Sequence, residues 1–436
     1  MIFNCEVIHW NILNDFQKKN ILSRPGISRM NRLKKEVEKI IFNVRNFGDI
    51  ALKKYTTKFD NISLNHFKVP QDRINQSEYQ VSSEFKNAIL TSFKNIHFFH
   101  KQQINQTIDV ETSNGVRCQQ ITSPIESVGL YVPGGTAPLL STVLMLAIPA
   151  QIAGCKNILL CSPPPIINEI LYIAKICGLN NIFEVGGAQA IASFAFGTNT
   201  IPKVDKVFGP GNAYVTEAKS QLNQLLPNFS IDMAAGPSEL LIIADDQSNA
   251  SFIASDLLSQ AEHGIDSQVI LLTTSINIIK HVILEINKQI LYLSRSQIII
   301  ESLKHSKFIL TKNLLQCAKI SNMYAPEHLI IHIKKPRNLL KSITNAGSIF
   351  LGPWSPESVG DYSSGTNHVL PTYGSATYSS GLGLMDFQKR INIQELTYLG
   401  LKNLSHIVKS LSLSEKMDAH NNAIQLRIDS IRNKNE

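Results

Sequence analysis

The segment Ala325-Pro326-Glu327-His328-Leu329 sets a carboxylic acid beside an imidazole immediately after a proline. Two titratable groups of different intrinsic pKa can divide two proton transfers between them. Pro326 fixes its own φ and disfavours helix at Ala325, so Glu327 and His328 are expected to open a new element. Leu329, Ile330 and Ile331 follow and read as a buried strand or the start of a helix. Glu-His is also a common dipeptide, so the pair needs company before it makes a site.

Other constellations supply that company. Ser259-Gln260-Ala261-Glu262-His263-Gly264 falls at the end of a predicted helix, with Gln260 and His263 three apart on one face. These are either two donors aimed at one small object or a polar cap, with His263 favoured by the helix dipole and Gly264 as the stop. In the polar loop Gly360–His368, Asp361 is a ligand or a turn former. Glu415 and His420 are five apart and would point about 140° apart on one ideal helix, so they share no tight face. Glycine-rich turns at Gly134-Gly135, Gly186-Gly187 and Gly209-Pro210-Gly211-Asn212 each lie between a predicted strand and a predicted helix. Such turns can aim backbone N–H groups at a pyrophosphate or merely punctuate the chain, and none matches the Gly-x-Gly-x-x-Gly fingerprint. Neither His-Glu-x-x-His nor a Cys–His cluster is present, so spacing alone reveals no metal site.

The elements that must position these groups alternate in type. Met30 to about His100 has a helical pattern, with Val37, Ile40, Ile41 and Val44 at three- and four-residue spacing, and a short β segment is expected near Val116–Ile121. From Val128 onward, strand candidates 158–161, 182–185, 206–208 and 231–233 alternate with helices near 139–153, 167–177, 189–196 and 213–226. A second series follows, with strands 240–244, 268–273, 308–310, 329–333 and 348–351 and helices near 251–261, 276–287 and 339–344. This alternation predicts an α/β fold: two Rossmann-like domains of mostly parallel sheet flanked by helices, with a cleft between them. A loop or hairpin is expected over 372–380, and a helical tail over about 397–432 that lacks a core of its own and packs on a partner.

Bulk composition narrows the function class. The 436 residues are 43% hydrophobic and 17% charged, which fits a globular chain rather than a disordered one. The formal charge is +8, but no basic run of five residues and no basic stretch interleaved with aromatics marks a nucleic-acid groove. Six cysteines without a Cys-x-x-Cys pair or a secretory signal lead us to expect a reduced, cytoplasmic protein. The longest apolar stretch, about 142–153, contains Pro149 and is too short to cross a bilayer.

Taken in order, these segments resemble the histidinol dehydrogenase family from about residue 20 to the C-terminus. The resemblance rests on Val128–Gly135, Gly186–Ala190, Gly209–Tyr214, Asp232–Glu239, Ser259–Gly264, Ala325–Leu329, Gly360–Pro371 and Met417–His420. It implies a four-electron oxidation of L-histidinol to L-histidine through the bound aldehyde, using two NAD⁺. It further implies one zinc per subunit on Gln260, His263, Asp361 and His420, and NAD contacts from Tyr131, Gln189 and Asn212. Substrate would meet Ser238, Glu415 and His368 as well as His328 and the metal ligands. His328 would accept a proton in both oxidations, and Glu327 would activate water in the second. The family is a homodimer, so Glu415 and His420 are expected to complete the partner's site.

The boundaries expected on this reading are an N-terminal segment over 1–25, a discontinuous α/β domain over 26–129 and 236–381, an NAD-contacting α/β domain over 130–235, and a helical C-terminal region over 382–436. A zinc hydrolase using Glu327 would leave the three glycine-rich turns without a purpose. A scaffold that had lost activity would lack a ligand or the Glu-His pair, and neither is missing. A cysteine-nucleophile aldehyde dehydrogenase would need a cysteine in a setting that lowers its pKa, which the sequence does not display.

Overall fold

The computed structural model describes residues 3–25, 30–134, 138–233 and 236–432. In chain order the strands are β1 (Val7–His9), β2 (Ile108–Ser113), β3 (Val116–Pro124), β4 (Ser127–Tyr131), β5 (Asn157–Ser162), β6 (Asn181–Glu184), β7 (Lys206–Phe208) and β8 (Ser230–Ile231). They continue with β9 (Glu239–Ala244), β10 (Gln268–Thr273), β11 (Lys307–Leu310), β12 (His328–His332), β13 (Ser348–Leu351) and β14 (Gln388–Leu396). The chain divides into two compact units, one of residues 1–103 and 125–386 and one of residues 104–124 and 387–436.

The larger unit holds two parallel sheets. One runs β6-β5-β4-β7-β8 and the other β1-β11-β10-β9-β12-β13. Every residue of β9, β10 and β12 is buried, as expected for strands covered by helices on both faces. Leu240, Ile242, Val269, Leu271 and Phe308 face one layer of helices, and Leu241, Ile243, Ile270, Leu329 and Ile331 face the other. The expected α/β alternation is present. β1 also adds an edge strand to the six-stranded sheet, pairing in parallel with β11, from within the N-terminal segment expected over 1–25.

Strand order reverses at β4/β7 in the first sheet and at β9/β12 in the second. Ligands commonly sit beyond the carboxyl ends of strands at such points. The glycine-rich turns do follow the carboxyl ends of β4, β6 and β7, but Glu239 and His328 stand at the opposite, opening ends of β9 and β12. The glycine-rich turns and the Glu-His pair thus stand at opposite strand ends of their respective sheets.

Several expectations need correction. Residues 26–129 were grouped with 236–381, but Val37, Ile40, Val44, Leu52 and Tyr55 of the helix Met30–Asp60 share a core with Phe183, Phe194 and Val207 of the five-stranded sheet's domain. Val69 N–H also donates to Ile182 carbonyl, and the helix Ser83–Lys101 packs on the helix Leu140–Ala153. An amphipathic helix has no fixed sheet partner in sequence, and here apolar matching chose the second sheet. The helix Met30–Asp60 is broken at Gly48, whose φ of 48° and ψ of −127° are non-helical. Residues 388–396, expected within a helical C-terminal region over 382–436, form the strand β14, antiparallel to β3, which also pairs with β2. This three-stranded sheet and the helices Tyr398–Ser414 and Asp418–Arg432 form the smaller unit.

Candidate active site

β9 and β12 are parallel neighbours with His328 opposite Leu240, so Glu239, Glu327 and His328 converge at one edge of the sheet. Ala325 ends the preceding helix, Leu314–Tyr324, in the left-handed region at φ 51°, and Pro326 carries the chain into β12. The main chain of Glu239 grips both members of the pair. Its N–H donates to Glu327 Oε2 at 2.8 Å, and its carbonyl oxygen lies 3.3 Å from His328 Nδ1. Nδ1 also lies 3.4 Å from Glu327 Oε2. A carbonyl and a carboxylate can only accept, so in the neutral ring Nδ1 carries the proton and Nε2 presents its lone pair. Nε2 is buried without a hydrogen-bond partner and faces Asp361 Oδ1 at 3.7 Å. Phe350 stacks on the ring.

Three of the four predicted ligand residues, Gln260, His263 and Asp361, lie near that nitrogen, and His420, in the smaller unit, is not among them. Gln260 is buried in the last turn of the helix Ala250–Ala261, whereas His263 lies beyond that helix end and is exposed, joined to Gln260 by a backbone hydrogen bond. Asp361 lies on the helix Glu357–Tyr362. One donor atom each of His263, Glu357 and Asp361 lies within 4.8 Å of the others. The Gln260 amide is oriented by Glu357: an amide oxygen there would face two carboxylate oxygens, whereas its nitrogen donates to both, the longer contact being 2.9 Å. Glu357 was missed in the sequence, although its four-residue spacing from Asp361 on one helical face was a usable signal.

Charge in this buried cluster is tightly balanced. Burial works against a charge on His328, but the carboxylates of Glu357, Glu327 and Asp361 outweigh it and hold the imidazole pKa well above its ordinary value. Burial pushes Glu357 well up, opposed by His328 and reinforced by Asp361, Glu327 and Asp256. Asp361 is also buried, yet the neighbouring positive charge of His328, helped by His368 and His263, wins and pulls its pKa down. His368 is pushed down by burial. Its Nδ1–H donates to the Asp361 backbone carbonyl at 2.9 Å and its Nε2 accepts from Thr142 Oγ1 at 3.0 Å, so a substrate contact would require releasing one of these.

The cleft of the larger unit has a volume of about 2360 Å³ and is lined by Gly134, Asn212, Ser238, His263 and Tyr362, among others. Of the three predicted NAD contacts, Asn212 lines it, with Oδ1 capping the helix Ala213–Leu225 through Tyr214 and Val215 N–H. Tyr131 and Gln189 are buried behind the turn. The Gly187 N–H donates to the Tyr131 hydroxyl at 3.0 Å, while Gln189 Oε1 has no partner. Lys219 bridges the Gly209 carbonyl and Asp232, whose other oxygen accepts from Gly209 N–H, so a buried ion pair fixes this turn. Gly135 lies outside the described residues.

Glu415 and His420 belong to the smaller unit and are exposed. They do not share one helix as expected. The helix Tyr398–Ser414 ends at Glu415, Lys416 takes a φ of 59°, and a new helix starts at Asp418. The break re-aims His420 relative to Glu415 in a way that a single-helix wheel cannot describe.

Comparison with known proteins gives the family and the fold. A family model for histidinol dehydrogenase matches residues 24–428. The histidinol dehydrogenase of Buchnera aphidicola from Schizaphis graminum is 60% identical over 428 residues, covering 98% of each chain. That of Escherichia coli K12 is 52% identical over 432 residues, covering 99% of each. The crystal structure of the Elizabethkingia anophelis histidinol dehydrogenase superposes with a TM-score of 0.93 at 45% identity, covering 96% of this chain and 97% of that one.

Proposed function

The chain belongs to the histidinol dehydrogenase family, and on that premise we propose how its own residues divide the work. It is an oxidoreductase of histidine biosynthesis that acts on histidinol. No described helix is long and apolar enough to cross a membrane, and none of the six cysteines is in a disulfide, which suits a reducing compartment such as the cytoplasm.

The donors around His263 form a nitrogen-and-oxygen set suited to zinc, with three titratable donors already within 4.8 Å of one another. Gln260, His263 and Asp361 would hold one zinc per subunit, with His420 contributed across a homodimer and Glu415 reaching the substrate from the same direction. Zinc would orient histidinol through its imidazole and amino nitrogens and offset the carboxylate charge facing His328. NAD⁺ supplies the hydride acceptor in each oxidation. Tyr131, Gln189 and Asn212 would hold it, and the orphaned Gln189 Oε1 is a buried acceptor suited to a ligand N–H or O–H.

His328 Nε2 takes the alcohol proton as hydride leaves the carbinol carbon, giving the aldehyde. Glu327 then removes a proton from water as its oxygen adds to the aldehyde carbon, while His328 returns its proton to the carbonyl oxygen, giving the gem-diol and restoring the imidazole as a base. His328 takes a hydroxyl proton from that diol as the second hydride leaves, giving the acid. Glu327 Oε2 is occupied by Glu239 N–H, so Oε1 is the oxygen turned to water. Ser238 on the cleft wall contacts the substrate. The aldehyde stays in the cleft between oxidations, away from bulk solvent.

One observation carries this reading: a buried imidazole with Nδ1 committed to acceptors and Nε2 unpartnered beside a predicted metal ligand. The test is removal of bound metal with a chelator, which should abolish histidinol oxidation until zinc is restored. Full turnover by the metal-free chain would overturn the template role.

A further inference from the structure

Arg24 lies in the N-terminal segment expected over 1–25, and its side chain is largely buried against β9. Its Nε donates to Glu239 Oε1 at 2.5 Å and its Nη2 to Glu239 Oε2 at 2.9 Å, a two-point ion pair with side chains 13% and 3% exposed. Nη2 also donates to the Tyr324 carbonyl at 2.7 Å, with the Ala325 carbonyl at 3.4 Å, and the guanidinium lies 4.1 Å over the Tyr324 ring. One side chain therefore ties the opening residue of β9 to the end of the helix that leads into β12.

We propose that Arg24 is a positioning residue for catalysis, holding the starts of β9 and β12 together so that the Glu239 main chain can grip Glu327 and His328. The proposal rests on the reading that this pair carries the proton transfers.

Three features support it. The Glu239 N–H and carbonyl meet Glu327 and His328 respectively, so a shift of β9 moves both partners at once. The Glu239 carboxylate has a second anchor in Tyr373 N–H at 2.9 Å, which fixes the residue's side chain and leaves its main chain for the pair. Ala325 holds a left-handed φ of 51° two residues before Glu327, a conformation that persists only where surrounding contacts impose it. A guanidinium supplies such contacts in a flat, forked geometry that an ammonium cannot reproduce.

The test uses two variants of the full chain, loaded with zinc. Arg24→Lys keeps the positive charge but loses the fork. Arg24→Met combined with Glu239→Gln removes the pair without stranding a buried charge. With folding verified by circular dichroism, kcat for histidinol and for supplied histidinaldehyde should fall about tenfold in the first variant and about a hundredfold in the second, with KM for histidinol and zinc content within about twofold of the parent. Parental kcat in either folded variant overturns the proposal. So does a rise in KM at unchanged kcat, which would make Arg24 a ligand contact on the cleft wall it lines. Glu327→Gln and His328→Asn measured alongside separate the two readings. If those two retain parental activity, the catalytic assignment has failed; if they are impaired and the Arg24 variants are not, the positioning claim alone has failed.

Discussion

Asp256→Asn should stabilise the metal-free protein, and more so as pH rises. Asp256 lies on the helix Ala250–Ala261 one turn before Gln260, is 7% exposed, and has no side-chain hydrogen bond among the described residues. Burial alone raises its pKa from 3.8 to about 7. A carboxylic acid with a raised folded-state pKa binds its proton more tightly folded than unfolded. Below pH 3.8 the group is neutral in both states and carries no penalty; above pH 7 it is charged in both and carries the full one. A shift of about three units corresponds to about 4 kcal/mol, reached near pH 8, while at pH 5 the penalty is about 1.7 kcal/mol. Asn has the same shape and does not titrate. Urea unfolding of chelator-treated parent and variant should therefore show a gap in stabilisation of at least about 2.5 kcal/mol between pH 5 and pH 8, widened where Glu357 is relieved of the Asp256 charge. An equal effect at the two pH values would show that Asp256 does not titrate in this window, and a destabilised variant at pH 8 would show that its charge has a partner.

Glu357→Gln should lower zinc affinity about 10- to 100-fold, because the carboxylate that fixes the Gln260 amide loses its charge and one acceptor. Competition with a chromogenic chelator measures this, and unchanged affinity would remove Glu357 from the ligand shell. Mixing His328→Asn chains with His420→Asn chains should restore activity that neither has alone, since a mixed dimer would keep one intact site. No recovery after verified subunit exchange would mean that His420 serves its own chain. Gln189→Leu should raise the KM for NAD⁺ while leaving the histidinol KM unchanged, and a parental NAD⁺ KM would leave the orphaned amide oxygen without a role.

The sequence displayed its α/β rhythm openly because strands such as β9, β10 and β12 are continuous apolar runs between polar turns. The start of β12 was legible from Pro326, and the helix end near His263 from Gly264. Groups brought together by tertiary packing were not. Arg24 meets Glu239 across 215 residues of chain, and no local spacing encodes that. The helix Met30–Asp60 displayed its apolar face but not which sheet would cover it. β14 is mostly polar, with Ile391 and Ile393 alternating with Asn392 and Gln394, and its exposed pattern lacks a buried face to announce it. The break at Lys416 depends on a left-handed residue that is not glycine, so the usual stop signal was absent.

The central claim is that His328 serves both oxidations and Glu327 only the second. Counting NADH formed per histidinol by the zinc-loaded protein, with a trap for free aldehyde, tests it most directly. The parent chain should give two NADH per histidinol and no trapped aldehyde, His328→Asn should lose both hydride transfers, and Glu327→Gln should stop after one NADH. Two NADH from Glu327→Gln at the parental rate, or a single NADH with released aldehyde from the parent chain, would contradict it.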